Sequence, residues 1–205
     1  SLTNCPGTSA GFSVSATGTG LSYQWSKDGN ALAGQTGSSL TLASVSAVNA
    51  GTYSVVVSGV CGNAVTNSAT LTVNENVVVA SGPVSLTNCP GTSASFNVSA
   101  TGTGLSYQWY KGGNALAGQT GSSLVLASVS ASDAGIYSVT VSGTCGQPVS
   151  SSASLTVNEK VVVVSAPASL TNCPGTSASF NVSATGTGLS YQWFKAGTEL
   201  VGQTS

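Results

Sequence analysis

The sequence predicts an all-β chain of tandem β-sandwiches in a linear array, with the third copy truncated, and three observations carry that prediction. First, one unit recurs: Ser-Leu-Thr-Asn-Cys-Pro-Gly-Thr-Ser-Ala begins at Ser1, Ser85 and Ser169, 84 residues apart each time. Second, short runs of alternating apolar and polar residues fill each unit, which is the period of strands with one buried face. Third, glycine-rich turns separate these runs and no stretch carries a helical period. A repeat of this length is too long for most solenoids and fits a string of small domains. The copies are residues 1–75, which lack a first strand, residues 76–159, and the partial copy 160–205.

The second copy gives the elements in order. Ser95 to Ala100 and Leu105 to Trp109 alternate and read as two strands. Gly112-Gly113 and Gly118 break the pattern before Ser123 to Val129, and Ile136 to Ser142 follows. Gly143 marks the next turn, and Ser152 to Val157 closes the copy. The Val-rich segment Val77 to Ala80 supplies the first strand. Asn74-Glu75-Asn76 and Asn158-Glu159-Lys160 are short polar linkers, with too little slack for neighbouring domains to swing freely.

Composition narrows the function. The chain has 205 residues and 40% are hydrophobic, enough for packed cores, yet only 4% are charged, against roughly a quarter in ordinary domains. Four Lys and five acidic residues give a net charge of −1. Such a surface has no basic patch for nucleic-acid phosphates or anionic lipid, so no nucleic-acid partner and no membrane insertion are expected. Near-zero charge favours self-association with identical repeats or subunits. No His is present and the titratable groups are scattered, so no base stands near a nucleophile. No catalytic residue, cofactor or metal is expected, and the chain reads as a non-enzyme.

The residues Leu105-Ser-Tyr-Gln-Trp109 and Asp133-Ala-Gly-Ile-Tyr137 resemble the immunoglobulin fold. By that resemblance Trp109 is the buried core Trp, and Tyr137 with Asp133 forms the tyrosine corner. Trp25 and Tyr53 are the counterparts in the first copy, where Asn49 replaces the Asp, and Trp193 is the core Trp of the third. The fuller pattern, Cys-Pro-Gly-Thr-x-Ala-x-Phe, Tyr-Gln-Trp and Ala-Gly-x-Tyr-Ser-Val, is similar to the multi-domain immunoglobulin-like surface proteins of bacteria.

The resemblance also locates the five cysteines. The usual inter-sheet disulfide positions hold Val98 and Val139, or Val14 and Val55. Cys5, Cys89 and Cys173 instead precede the turn into the second strand, and Cys61 and Cys145 lie in the last hairpin. In the implied topology these sites sit at opposite ends of a domain, roughly 20 Å apart, whereas a disulfide needs Cα atoms within about 7 Å. Two pairings stay open: an inter-domain Cys5–Cys145 staple, with Cys61 and Cys89 pairing to preceding and following repeats, or intra-domain Cys5–Cys61 and Cys89–Cys145. Either implies an oxidising, secreted or cell-surface location.

The function expected is therefore a structural repeat unit of an extracellular filament, stalk or large surface protein, reinforced by disulfides. The alternative is a ligand-binding adhesin module, in which loops near Gly18 to Gly20 and Gly34 to Gly37 recognise a glycan or protein. Asn97 and Asn181 head N-glycosylation sequons, Asn-Val-Ser, and the position is Ser13 in the first copy.

Overall fold

The computed structural model describes residues 1–204; Ser205, the last residue of the third segment, lies outside them. The chain is all-β, and the helical turns among the described residues are two short 3₁₀ segments, Ala47–Asn49 and Ala131–Asp133.

The first copy contributes β1 (Leu2–Asn4), β2 (Ala10–Ser13), β3 (Ser22–Lys27), β4 (Asn30–Ala31), β5 (Ser39–Leu42), β6 (Gly51–Ser58) and β7 (Val65–Val73). One layer has the order β1-β7-β6-β3-β4 and faces the pair β2-β5. β1 runs parallel to β7, with Leu2 beside Leu71, and the other pairings are antiparallel.

The second copy repeats this with β8 (Val78–Ser81), β9 (Leu86–Asn88), β10 (Ala94–Asn97), β11 (Ser99–Thr101), β12 (Ser106–Lys111), β13 (Asn114–Ala115), β14 (Ser123–Leu126), β15 (Gly135–Ser142) and β16 (Val149–Val157). Its large layer is β13-β12-β15-β16-β9. The run read as one strand from Ser95 to Ala100 is two, because the chain changes partners at Val98. β10 pairs with β14, and β11 pairs with β8. Gly82 and the buried Pro83 then carry the chain across to the other layer. A Cβ at position 82 would collide with the Ser151 side chain, so the crossing requires glycine there.

Alternation along β15 turns Tyr137, Val139 and Val141 inward. They meet Phe96, Trp109, Leu124 and Val129, all essentially without solvent contact. Phe96 stacks on Tyr137 with ring centroids 5.1 Å apart, and Trp109 donates its indole N–H to the Gly121 carbonyl at 2.9 Å. Each such side chain contributes about 1.5–3 kcal/mol on burial, so Val98 and Val139 close the core where the resemblance would otherwise place sulfur. The first copy builds the same cluster around Trp25, Phe12, Tyr53 and Val55. Its Val14, the counterpart of buried Val98, is only half-buried.

The third copy is sparser: β17 (Val162–Ser165) pairs with β18 (Ser183–Thr185), and β19 (Phe194–Lys195) with β20 (Thr198–Glu199). Trp193, expected in a core, is half-buried, and Phe180 and Phe194 are exposed. The strand that carries Phe12 or Phe96 pairs with β5 or β14 in the complete copies. Among the described residues the third copy has no counterpart of that partner, so residues 178–181 form no ladder.

Candidate functional site

The site is the junction between copies, and its parts come from three short segments. The first is the turn that presents Cys5. Asn4 donates its side-chain N–H to Thr8 Oγ1 and the Ser9 carbonyl, and the Thr8 hydroxyl donates to the Cys5 carbonyl at 2.7 Å. Gly7 takes a φ of +82° and donates its N–H to Val45, which pins the turn to the base of the sandwich. Asn88 and Thr92 repeat these bonds around Cys89, as do Asn172 and Thr176 around Cys173. The cysteine-presenting turn is therefore a local structure, formed even in the incomplete copy.

The second segment is the linker. Asn74 donates to the Asn4 carbonyl at 2.9 Å, extending the β1–β7 pairing. Glu75 is then gripped by its backbone: its N–H donates to Thr103 Oγ1 at 2.8 Å, and its carbonyl accepts from the Thr103 N–H at 3.2 Å. Val77 follows and is 7% exposed, buried in the second copy's core beside Leu105 and Val98. At the next junction Glu159 makes the same two bonds to Thr187.

The third segment is the β15–β16 hairpin. Thr144 donates to the Thr103 carbonyl at 2.8 Å, Cys145 accepts from the Val77 N–H at 3.2 Å, and Cys145 itself is 2% exposed. Gly143 leaves room for Val77: a Cβ there would stand 2.7 Å from Val77 Cγ2.

The structure brings Cys5 and Cys145 together in a disulfide, with Cα atoms 5.5 Å apart. The base of the first sandwich is thus joined to the facing end of the second. The intra-domain pairings are not formed; Cys61, Cys89 and Cys173 are exposed thiols. The linkers read as polar spacers are clamped segments; Thr103 and Thr187 were not singled out by sequence reasoning, and Val77, read as the start of a strand, is instead buried in the core. The Gly-Thr-Gly triplet recurring at Gly18, Gly102 and Gly186 was the available signal. In the second copy that triplet, the counterpart of the loop assigned to ligand recognition near Gly18 to Gly20, holds the linker.

Tyr53 and Tyr137 sit in their corners, donating to the Asn49 and Asp133 carbonyls at 2.8 Å. Burial pushes both phenols above their ordinary range. The Ser130 hydroxyl and then its backbone N–H bond the Asp133 carboxylate, holding its pKa below the ordinary value. Asn49 Oδ1 accepts the same two bonds from Ser46, so the corner stands without the charge. Asp28 is likewise held low, by Lys27 and then by the Thr52 N–H. Trp25 and Trp109 are core residues, and Tyr110 is half-buried on the opposite face. Among the described residues no group of three or more His, Cys, Asp or Glu could hold a metal ion, and no helix is long and apolar enough to cross a membrane.

Residues 64–157 match the family model of the immunoglobulin domain. The muscle M-line assembly protein unc-89 of Caenorhabditis elegans is 30% identical over 176 residues, which cover 78% of this chain. The chain spans 2% of the length of that relative. Among solved structures, the I-band fragment I67-I69 of titin superposes with a TM-score of 0.73 at 22% identity, covering 98% of this chain and 78% of that one. Sidekick-1 immunoglobulin domains 1–5 give 0.51 at 18% identity, covering 97% and 48%. The four N-terminal domains of a Dscam1 isoform give 0.52 at 22% identity, covering 76% and 42%. The chain is built of immunoglobulin-like domains in tandem. The curated relative is an animal protein, and the narrower likeness to bacterial surface proteins rests on the sequence motifs alone.

Proposed function

We propose that this chain is a structural repeat unit of an extracellular filament, stalk or large surface protein of a microbe, in which each sandwich is covalently and sterically fixed to the next. The observation that carries this reading is the Cys5–Cys145 bond, which spans a junction rather than a core. A disulfide inside a core stabilises one domain. A disulfide across a junction, together with the Glu75 clamp and the Val77 plug, fixes the angle between two domains, as a rod requires and a flexible tether does not. Such a bond persists in oxidising surroundings, which supports a location outside the cytosol. The role is mechanical, without catalysis. The likeness to titin and unc-89 supports a serial array of such domains and does not bear on the compartment.

The test is electron microscopy of the native material with and without reductant, alongside a non-reducing peptide map. Stiff, regularly spaced arrays that soften on reduction, with a Cys5–Cys145 peptide, are expected. Independent flexible beads with Cys5 reduced would overturn the reading.

A further inference from the structure

The two sulfurs of the staple stand in unequal surroundings. Cys145 is 2% exposed and packed beneath the linker: its carbonyl accepts from the Val77 N–H at 3.2 Å, and it pairs with Asn76 in an isolated parallel bridge. Cys5 is half-buried, on a turn whose residues Gly7 to Ser9 are exposed. The same turn in the second copy leaves Cys89 exposed, although that copy's first strand is in place, so the access comes from the turn itself. In thiol–disulfide exchange the attacking thiolate must reach one sulfur directly, and access decides which one it takes. Here attack is open at Cys5 and closed at Cys145.

Both cysteines are also held by bonds that involve no sulfur. The Asn4 carbonyl, one residue before Cys5, accepts from the Asn74 N–H at 2.9 Å, and Thr144, one residue before Cys145, donates its N–H to the Thr103 carbonyl at 2.8 Å. Thr103 in turn grips Glu75 through its N–H and its hydroxyl. The linker therefore lies between the two cysteine-bearing segments as a template. These bonds do not need the disulfide: at the next junction Asn158 donates to the Asn88 carbonyl at 2.9 Å and Glu159 makes both bonds to Thr187, beside a Cys89 that is a thiol.

We propose that the junction is a resealing latch, in which Cys5 is the site that small thiols modify and Cys145 is the resolving thiol. A thiolate such as that of glutathione attacks Cys5 Sγ. A new sulfur–sulfur bond forms there, the Cys5–Cys145 bond breaks, and Cys145 leaves with the electron pair and takes up a proton. The linker keeps Cys145 facing the adduct. Cys145 then gives up that proton, attacks Cys5 Sγ and expels glutathione as its thiolate. The two steps sum to no net change, so resealing consumes no oxidant. Thr103 is a positioning residue in this cycle, because its hold on the linker sets the effective concentration of Cys145 at Cys5. The latch rests on the covalent junction proposed above.

The native chain, with the exposed Cys61, Cys89 and Cys173 first capped by iodoacetamide, is treated with reduced glutathione, quenched with N-ethylmaleimide in denaturant and mapped by mass spectrometry. Glutathione on Cys5 is expected to exceed glutathione on Cys145 by about tenfold or more. Gel filtration that removes free glutathione in the absence of oxygen is expected to return the adduct to the Cys5–Cys145 bond. In a glutathione redox buffer, Thr103→Val is expected to lower the effective concentration of the pair about fivefold, the equivalent of one lost hydrogen bond. Thr103→Ser is expected to restore it, with glutathione still on Cys5 in both variants. Equal labelling of Cys5 and Cys145 would overturn the latch. So would a Cys5 adduct that persists once glutathione is gone, or a Thr103→Val pair as readily closed as the native one. Failure of the array reading appears separately and beforehand, as native material in which Cys5 is a thiol before any glutathione is added.

Discussion

Val77 and Gly143 share one space: the Val77 side chain lies where a Cβ at position 143 would fall, and the Thr103 carbonyl stands 3.0 Å from that same point. The linker can enter the second sandwich only because residue 143 has no side chain. Gly143→Ala is expected to destabilise the second copy by about 1–3 kcal/mol, the usual cost of overpacking. Gly59→Ala is expected to change the first copy by no more than about 0.5 kcal/mol. Urea titration of the two variants measures both.

Breaking the staple removes the covalent link between two sandwiches, which are expected to unfold together while it lasts. Cys145→Ser, or reduction, is expected to cost roughly 2–4 kcal/mol and to split one calorimetric transition into two. Small-angle scattering is expected to show a wider spread of inter-domain distances.

Thr103 holds the linker by two groups, and one can be removed alone. Thr103→Val keeps the backbone bond to the Glu75 carbonyl and deprives the Glu75 N–H of its acceptor, at about 1 kcal/mol. Hydrogen exchange at that amide is expected to rise about fivefold, with the core amides of β15 unchanged.

The buried tryptophans differ in weight. Trp109→Ala opens a cavity and removes the bond to Gly121, for an expected loss of about 3–5 kcal/mol. Trp193→Ala is expected to cost less than half of that, since Trp193 is half-buried. Denaturant midpoints of the two variants decide this.

Asp133 makes the second copy sensitive to acid. Its pKa is lowered in the folded state, so its contribution is present above the unfolded value and is lost as pH falls through the folded one, below about pH 4. Asp133→Asn reproduces the Asn49 arrangement and is expected to remove that loss from the second copy. In the first copy the corresponding loss resides in Asp28 and disappears in Asp28→Asn. Asp28 is exposed and Asp133 half-buried at the surface, so the effects are small; urea midpoints between pH 5 and pH 2 report them.

Much of the fold was legible in the sequence because alternation encodes strands that bury one face, and Tyr137, Val139 and Val141 leave that signature. The location of the cysteines was legible from the repeat, and their positions at opposite ends followed from the fold the motifs resemble. Three features were not legible. The change of partners at Val98 leaves no trace, because alternation continues unbroken through it. Val77 reads as the start of a strand, since its burial depends on a glycine 66 positions away. Thr103 is one of many threonines, and only its carbonyl and hydroxyl contacts across the junction distinguish it.

The disulfide also redraws the route along which tension runs. Cys5 directly follows β1, and Cys145 lies just before β16, 140 positions further on. A pull applied at Ser1 and beyond Val157 passes down β1, across the two sulfurs and out along β16. The intervening chain, with the first copy's buried cluster and all of the second's but Ala153 and Leu155, is a closed loop beside the loaded path. Roughly 480 Å of extended polypeptide is withheld as slack while the bond lasts, and reduction releases it.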